Sequence, residues 1–105
     1  MCGIIGVNFP ASGPSYLRAT QHRGPDNSAK ASYGSFTFGH NRLSIIDLSE
    51  DANQPFVSAC SNYVIVFNGE VYNYQEIRKD LENKYAFRTS SDTEVVLYSY
   101  IEKKE

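Results

Sequence analysis

Cysteine is scarce in this chain: only Cys2 and Cys60 occur among its 105 residues. Two are too few for the disulfide framework of a small secreted domain, so both are expected to be reduced. Long hydrophobic runs are also missing. The apolar stretches are strand-sized, and Met1-Cys2 is followed by neither a basic region nor an extended apolar core. That pattern argues against a signal peptide or a membrane span and for a soluble, cytoplasmic protein. An excess of one charge is lacking too, with 10 Lys+Arg against 12 Asp+Glu and a formal net charge of -2. No basic track is available for a phosphate backbone, so neither nucleic acid nor a membrane is an expected partner. Lipidation signals are absent, because glycine stands at position 3 rather than 2 and the chain closes on Lys103-Lys104-Glu105.

What the sequence does contain starts at Cys2. Removal of the initiator methionine would leave a thiol and a free α-amine on one residue. An α-amine with an ordinary pKa of roughly 7.7–8.0 titrates close enough to neutrality to take the proton that the thiol must lose before it attacks a carbonyl. The alternative is a buried cysteine opening a strand, since free cysteine often serves as a small core hydrophobe. Cys2 alone does not separate the two.

The length suits one small domain with a core of its own. Cys2 to Val7 reads as a buried strand whose glycines leave space for another backbone or a ligand. Phe9 to Ser15 is loop, Tyr16 to Thr20 is a single helical turn at most, and Gln21 to Ser28 is a turn built on Gly24-Pro25-Asp26. A second strand is expected over Tyr33 to His40, then an apolar run over Leu43 to Leu48 and a polar loop over Ser49 to Pro55. Tyr63 to Phe67 is the clearest strand, β-branched and aromatic throughout, ending at Asn68-Gly69. Asn-Gly signals a hairpin when strands flank it. Here Asn73-Tyr74-Gln75-Glu76 resembles a capping box, and Tyr74, Ile77 and Leu81 fall at helical spacing, so strand, turn, helix is expected. Tyr85 to Thr89 reads as a short strand. Ser91-Asp92-Thr93-Glu94 is a second capping box, opening a helix with Val96, Leu97, Tyr100 and Ile101.

His22-Arg23-Gly24-Pro25-Asp26, Arg42-Leu43-Ser44-Ile45-Ile46-Asp47, Phe67-Asn68-Gly69-Glu70-Val71-Tyr72-Asn73-Tyr74 and Ser91-Asp92-Thr93-Glu94 follow Cys2 in that order. The set resembles the glutaminase domain of class II glutamine amidotransferases, the N-terminal-nucleophile family, and its asparagine synthetase branch most. The resemblance runs from Met1 to about Ile101. It implies an α/β (α+β) chain related to the N-terminal-nucleophile αββα sandwich, with antiparallel sheets and helices outside, of which about the first half is present. In domain terms, 1–105 is a partial amidotransferase domain without the synthetase domain.

The implied reaction is glutamine plus water to glutamate plus ammonia, through a γ-glutamyl thioester on Cys2. Selecting free glutamine takes one fixed cation and one fixed anion, and Arg42 and Asp92 have those signs. By resemblance Arg42 holds the substrate carboxylate, for which its planar fork is suited, and Asp92 faces the substrate amine. A surface guanidinium and an aspartate favouring a helix N-terminus are the plain alternatives. The Asn68 side-chain amide and the Gly69 N–H are implied donors to the tetrahedral oxyanion; a tight turn alone also explains them. Leu43, Ile45 and Glu70 line the substrate site on this reading, although a solvated carboxylate explains Glu70 as well. Arg23 and Gly24 belong to the loop beside the glutamine.

His22 and His40 do not combine with Cys2 and Cys60 at any zinc-site spacing, so no metal is expected, and Cys60 is assigned to packing. ATP and magnesium would belong to the synthetase domain. The implied partners are glutamine and an ammonia-accepting synthetase domain or subunit, with self-association of the chain left open. Two departures from the family pattern stand out: the segment between Val7 and Gln21 is short, and Ala29 replaces a usual glycine. Two other readings remain, an amidotransferase serving a sugar or nucleotide precursor and an inactive fragment acting as a binding module.

Overall fold

The computed structural model describes residues 2–8, 15–43 and 49–104. The apolar opening run forms β1, Gly3–Val7, and the expected single helical turn is α1, Ser15–Arg18. A 3-10 turn at Gln21–Arg23 leads into a hairpin rather than one strand: β2, Asn27–Tyr33, and β3, Phe36–Arg42. The expected strand from Tyr33 to His40 therefore spans the hairpin's turn. Gly34, at φ +60° with open space around it, supplies the left-handed residue that a two-residue hairpin loop requires.

Strand order in the first sheet is β1-β3-β2, antiparallel throughout. The registers Ile4↔His40↔Ala29 and Gly3↔Asn41↔Ser28 divide it into two faces. One face carries Gly3, Gly39 and Asn41 and meets the α1 side of the molecule. Asn41 donates to the Leu17 carbonyl at 2.8 Å and to the Thr20 hydroxyl at 2.7 Å. The glycines do provide space there, since a Cβ on Gly3 would lie 2.5 Å from that of Thr20. Ile4, Phe38, His40 and Arg42 point to the other face.

A 3-10 turn at Glu50–Ala52 precedes β4, Phe56–Val57, which pairs antiparallel with β5, Val64–Ile65. The strand expected from Tyr63 to Phe67 is thus only two residues long, because its partner offers only two. Helix α2, Tyr74–Leu81, starts at Asn73 without a side-chain cap, so the first expected box is not formed. In α3, Asp92–Lys103, Ser91 accepts from the Thr93 N–H at 3.1 Å. The second half of that box is diverted: fully buried Glu94 accepts from the Arg88 and Thr89 N–H groups and the Thr89 hydroxyl at 2.7–3.1 Å.

This capture explains why Tyr85 to Thr89 is not a strand. Its alternation is real, with Tyr85 and Phe87 turned inward, but two of the N–H groups that a ladder would use end on a carboxylate. Tyr85 stacks on Tyr98 at 4.8 Å, and Phe87 meets the same ring edge-on at 5.2 Å. Together with Leu81, Val95, Tyr74, Ile77 and Ile101 they form the core between α2 and α3. Among the described residues no helix is long and apolar enough to cross a membrane.

Candidate active site

Extending the β1–β3 register by one residue sets Cys2 opposite Arg42, on the face that also carries His40. The half-buried Cys2 sulfur accepts the Leu43 N–H at 3.3 Å, with the Leu43 carbonyl 3.8 Å away. Arg42 is buried rather than a surface guanidinium. Its Nη1 donates to the Ser49 carbonyl at 2.7 Å and to the Asn53 side-chain oxygen at 2.9 Å, which ties the end of β3 to the 49–54 segment. The remaining motif position, Ile45, lies outside the described residues, as does most of the apolar run from Leu43 to Leu48.

Gly24 lies against the same end of β3. A Cβ there would stand 2.1 Å from the Asn41 carbonyl oxygen and 2.7 Å from the Arg42 carbonyl carbon. Both are backbone atoms of the central strand and cannot step aside. The next connection, Asp26 N–H to the Arg42 carbonyl at 2.8 Å, fixes the loop to that strand, while Arg23 stays exposed. Gly24→Ala is therefore expected to destabilise the protein by about 1–3 kcal/mol, measured as a lower denaturation midpoint in urea; an unchanged midpoint would show that the loop can retreat.

The Asn68-Gly69-Glu70 turn is exposed at its tip and held at both ends. Before it, the Phe67 carbonyl lies 3.3 Å from His40 Nε2 and the Phe67 N–H donates to Gln54 Oε1 at 2.5 Å. After it, the Val71 N–H donates to Asp92 Oδ2 at 3.0 Å. Asp92 is buried at the start of α3, so its carboxylate serves the turn as well as the helix. The predicted residues thus fall in two groups, Cys2, Gly24, Arg42 and Leu43 at the end of β3 and Asn68, Gly69, Glu70 and Asp92 at the start of α3. Asn53-Gln54 joins them.

The sequence weighs His40 only as a metal ligand and does not point to Asn53 or Gln54. The i, i+2 spacing of His40 and Arg42 in a strand is the signal that could have found the histidine. Nothing local marks Gln54, whose partners are 13 and 39 residues away. Cys60 was assigned to packing but is exposed, on the β4–β5 connection, where the Ser58 hydroxyl 3.3 Å away lowers its pKa.

A carbonyl only accepts, so His40 Nε2 carries the proton, and Nδ1 is buried without a partner among the described residues. Burial pushes the His40 pKa down to about 4, partly opposed by the Phe67 carbonyl and assisted by the Arg42 charge. The ring is neutral at pH 7. As pH falls below the ordinary 6.5, the unfolded chain gains a proton that the folded chain refuses, so stability declines from there to about 4. The melting temperature of the wild type is expected to fall more steeply across that window than that of His40→Gln, which keeps a donor for Phe67. Parallel curves would remove His40 as the cause.

The glutamine amidotransferase domain family matches residues 1–105. Asparagine synthetase [glutamine-hydrolyzing] 1 of Bacillus subtilis is 49% identical over 116 residues, covering 100% of this chain and 18% of that protein. Asparagine synthetase B [glutamine-hydrolyzing] of Escherichia coli is 41% identical over 111 residues, with 98% of this chain and 20% of its own length covered. A probable asparagine synthetase [glutamine-hydrolyzing] of Schizosaccharomyces pombe is 40% identical over 110 residues, covering 97% and 20%. The chain spans about a fifth of the length of these curated relatives.

Proposed function

The chain belongs to the glutamine amidotransferase domain family, and on that premise we propose that it hydrolyses glutamine to glutamate and ammonia, with Cys2 as nucleophile, as the glutaminase part of an asparagine synthetase. One observation carries this reading. The sheet register places Cys2, Arg42 and His40 on one face, and His40 binds the carbonyl of Phe67, directly before Asn68. Cys2, Arg42 and the main chain that leads into Asn68 thus meet the same face of the sheet, which supports assigning nucleophile, carboxylate-binding cation and oxyanion donors to them.

With Met1 removed, the Cys2 α-amine takes the thiol proton and the sulfur attacks the side-chain carbonyl carbon of glutamine. The Asn68 amide and the Gly69 N–H receive the oxygen as it gains charge. Collapse of the tetrahedral intermediate releases ammonia, with the proton returned by the amine, and leaves a thioester. Water then attacks that thioester, freeing glutamate and the thiol. Arg42 and Asp92 hold the α-carboxylate and α-ammonium, which do not react. The released ammonia passes to an acceptor site in a synthetase domain, for which the relatives' names point to asparagine formation.

The test is release of glutamate and ammonia from glutamine by protein whose intact mass shows loss of Met1. Turnover by that form and none by protein retaining Met1 supports the mechanism. Equal turnover by both overturns the role of the α-amine, and no turnover by either leaves a binding module as the better reading.

A further inference from the structure

The buried side chain of Gln54 belongs to no step of the proposed reaction, yet both ends of its amide are used. Its Oε1 accepts the Phe67 N–H at 2.5 Å and its Nε2 donates to the Thr93 hydroxyl at 3.2 Å. Thr93 is buried next to Asp92, whose carboxylate accepts the Val71 N–H at 3.0 Å. These bonds close a ring from Gln54 through Phe67, the 68–70 turn, Val71, Asp92 and Thr93 back to Gln54. The preceding residue, Asn53, accepts from Arg42 Nη1 at 2.9 Å. Two adjacent side chains thus reach Arg42, the entry to the turn and Thr93, the neighbour of Asp92.

We propose that Gln54 is a positioning residue that sets the Asn68-Gly69 turn relative to Asp92, so that the oxyanion donors and the ammonium-binding carboxylate keep one spacing. The inference rests on the proposed glutamine hydrolysis. Three features single out Gln54. An uncharged amide accepts from one element and donates to another within a single rigid plane. Its burial makes each bond costly to lose, because an unpaired polar group is then left dry. And neither the turn nor its anchors, Phe67 and Val71, pair in either sheet among the described residues, so its position depends on side chains. A small displacement of donors from a developing oxyanion is enough to slow the chemistry while ground-state binding persists.

Gln54→Leu tests this, since leucine fills similar space without either bond. Expected is a fall in kcat for glutamine hydrolysis of about 10–100-fold, KM changed less than about threefold, and an unchanged rate of Cys2 alkylation by iodoacetamide, which needs the thiol but no oxyanion donors. In the unliganded protein, amide hydrogen exchange at Val71 is expected to accelerate together with that at Phe67, although Gln54 touches only Phe67 of the two. Exchange within β1 and β3 should not change. Thr93→Val removes the far end of the ring and serves if Gln54→Leu does not fold; it should accelerate exchange at Phe67 as well. The proposal is overturned if exchange at Val71 and kcat are both unaffected, or if alkylation slows in step with kcat. Accelerated exchange at Val71 in Gln54→Leu, with no glutaminase activity in the wild type, would retain the brace and discard the reaction.

Discussion

Replacing Cys2 with alanine is expected to lower glutamine turnover by at least about 10³-fold while glutamine binding, followed by calorimetry, stays close to that of the wild type. The asymmetry follows from where the sulfur sits. It occupies the edge of β1 against the Leu43 main chain, whereas the charges proposed to hold glutamine come from β3 and α3. Losing the sulfur removes the only atom that forms a bond to substrate, and the thioester cannot form. Cys60→Ala is the matched control, because that thiol is exposed on the β4–β5 connection beside Ser58. Its activity should equal the wild type. Turnover surviving in Cys2→Ala and lost in Cys60→Ala would move the nucleophile to the other cysteine.

Much of the candidate site is legible in the chain because the residues proposed for it lie in short motifs. Cys2, Arg42, Asn68 and Asp92 each stand in a local pattern, and Ser91 caps α3 through its own neighbour Thr93. The hairpin was harder to see. In strand β2 the apolar positions Ala29, Ala31 and Tyr33 are only half-buried, so the period-two signal is carried by weak hydrophobes, and the aromatic weight of Tyr33, Phe36 and Phe38 draws the expected strand across Gly34. Strand β5 failed in the opposite sense, since strong β-formers from Tyr63 to Phe67 cannot extend a ladder that Phe56–Val57 limits to two pairs. Tyr85 to Thr89 shows a third cause: a carboxylate on the next helix takes the backbone donors. Gln54 and His40 depend on partners 13 to 39 residues distant. No window of sequence contains such pairs.

Asn68→Ala is expected to lower kcat by about 10²–10³-fold with little change in KM, the cost of one oxyanion donor. The structure makes the substitution clean. Asn68 is exposed at the tip of a turn whose anchors are main-chain atoms of Phe67 and Val71, so alanine removes the amide without loosening the bonds that place the turn. Asp92→Asn provides the contrast. Asparagine retains an oxygen to accept the Val71 N–H, so the turn stays anchored, while the charge proposed to face the substrate ammonium is gone. KM should then rise with kcat largely preserved, because that charge meets a part of glutamine that does not change during reaction. The two variants separate transition-state stabilisation from ground-state recognition within one turn, which Asp92 anchors through the Val71 N–H. A loss of kcat in Asp92→Asn as large as in Asn68→Ala would mean that the carboxylate acts through the turn instead of on the substrate.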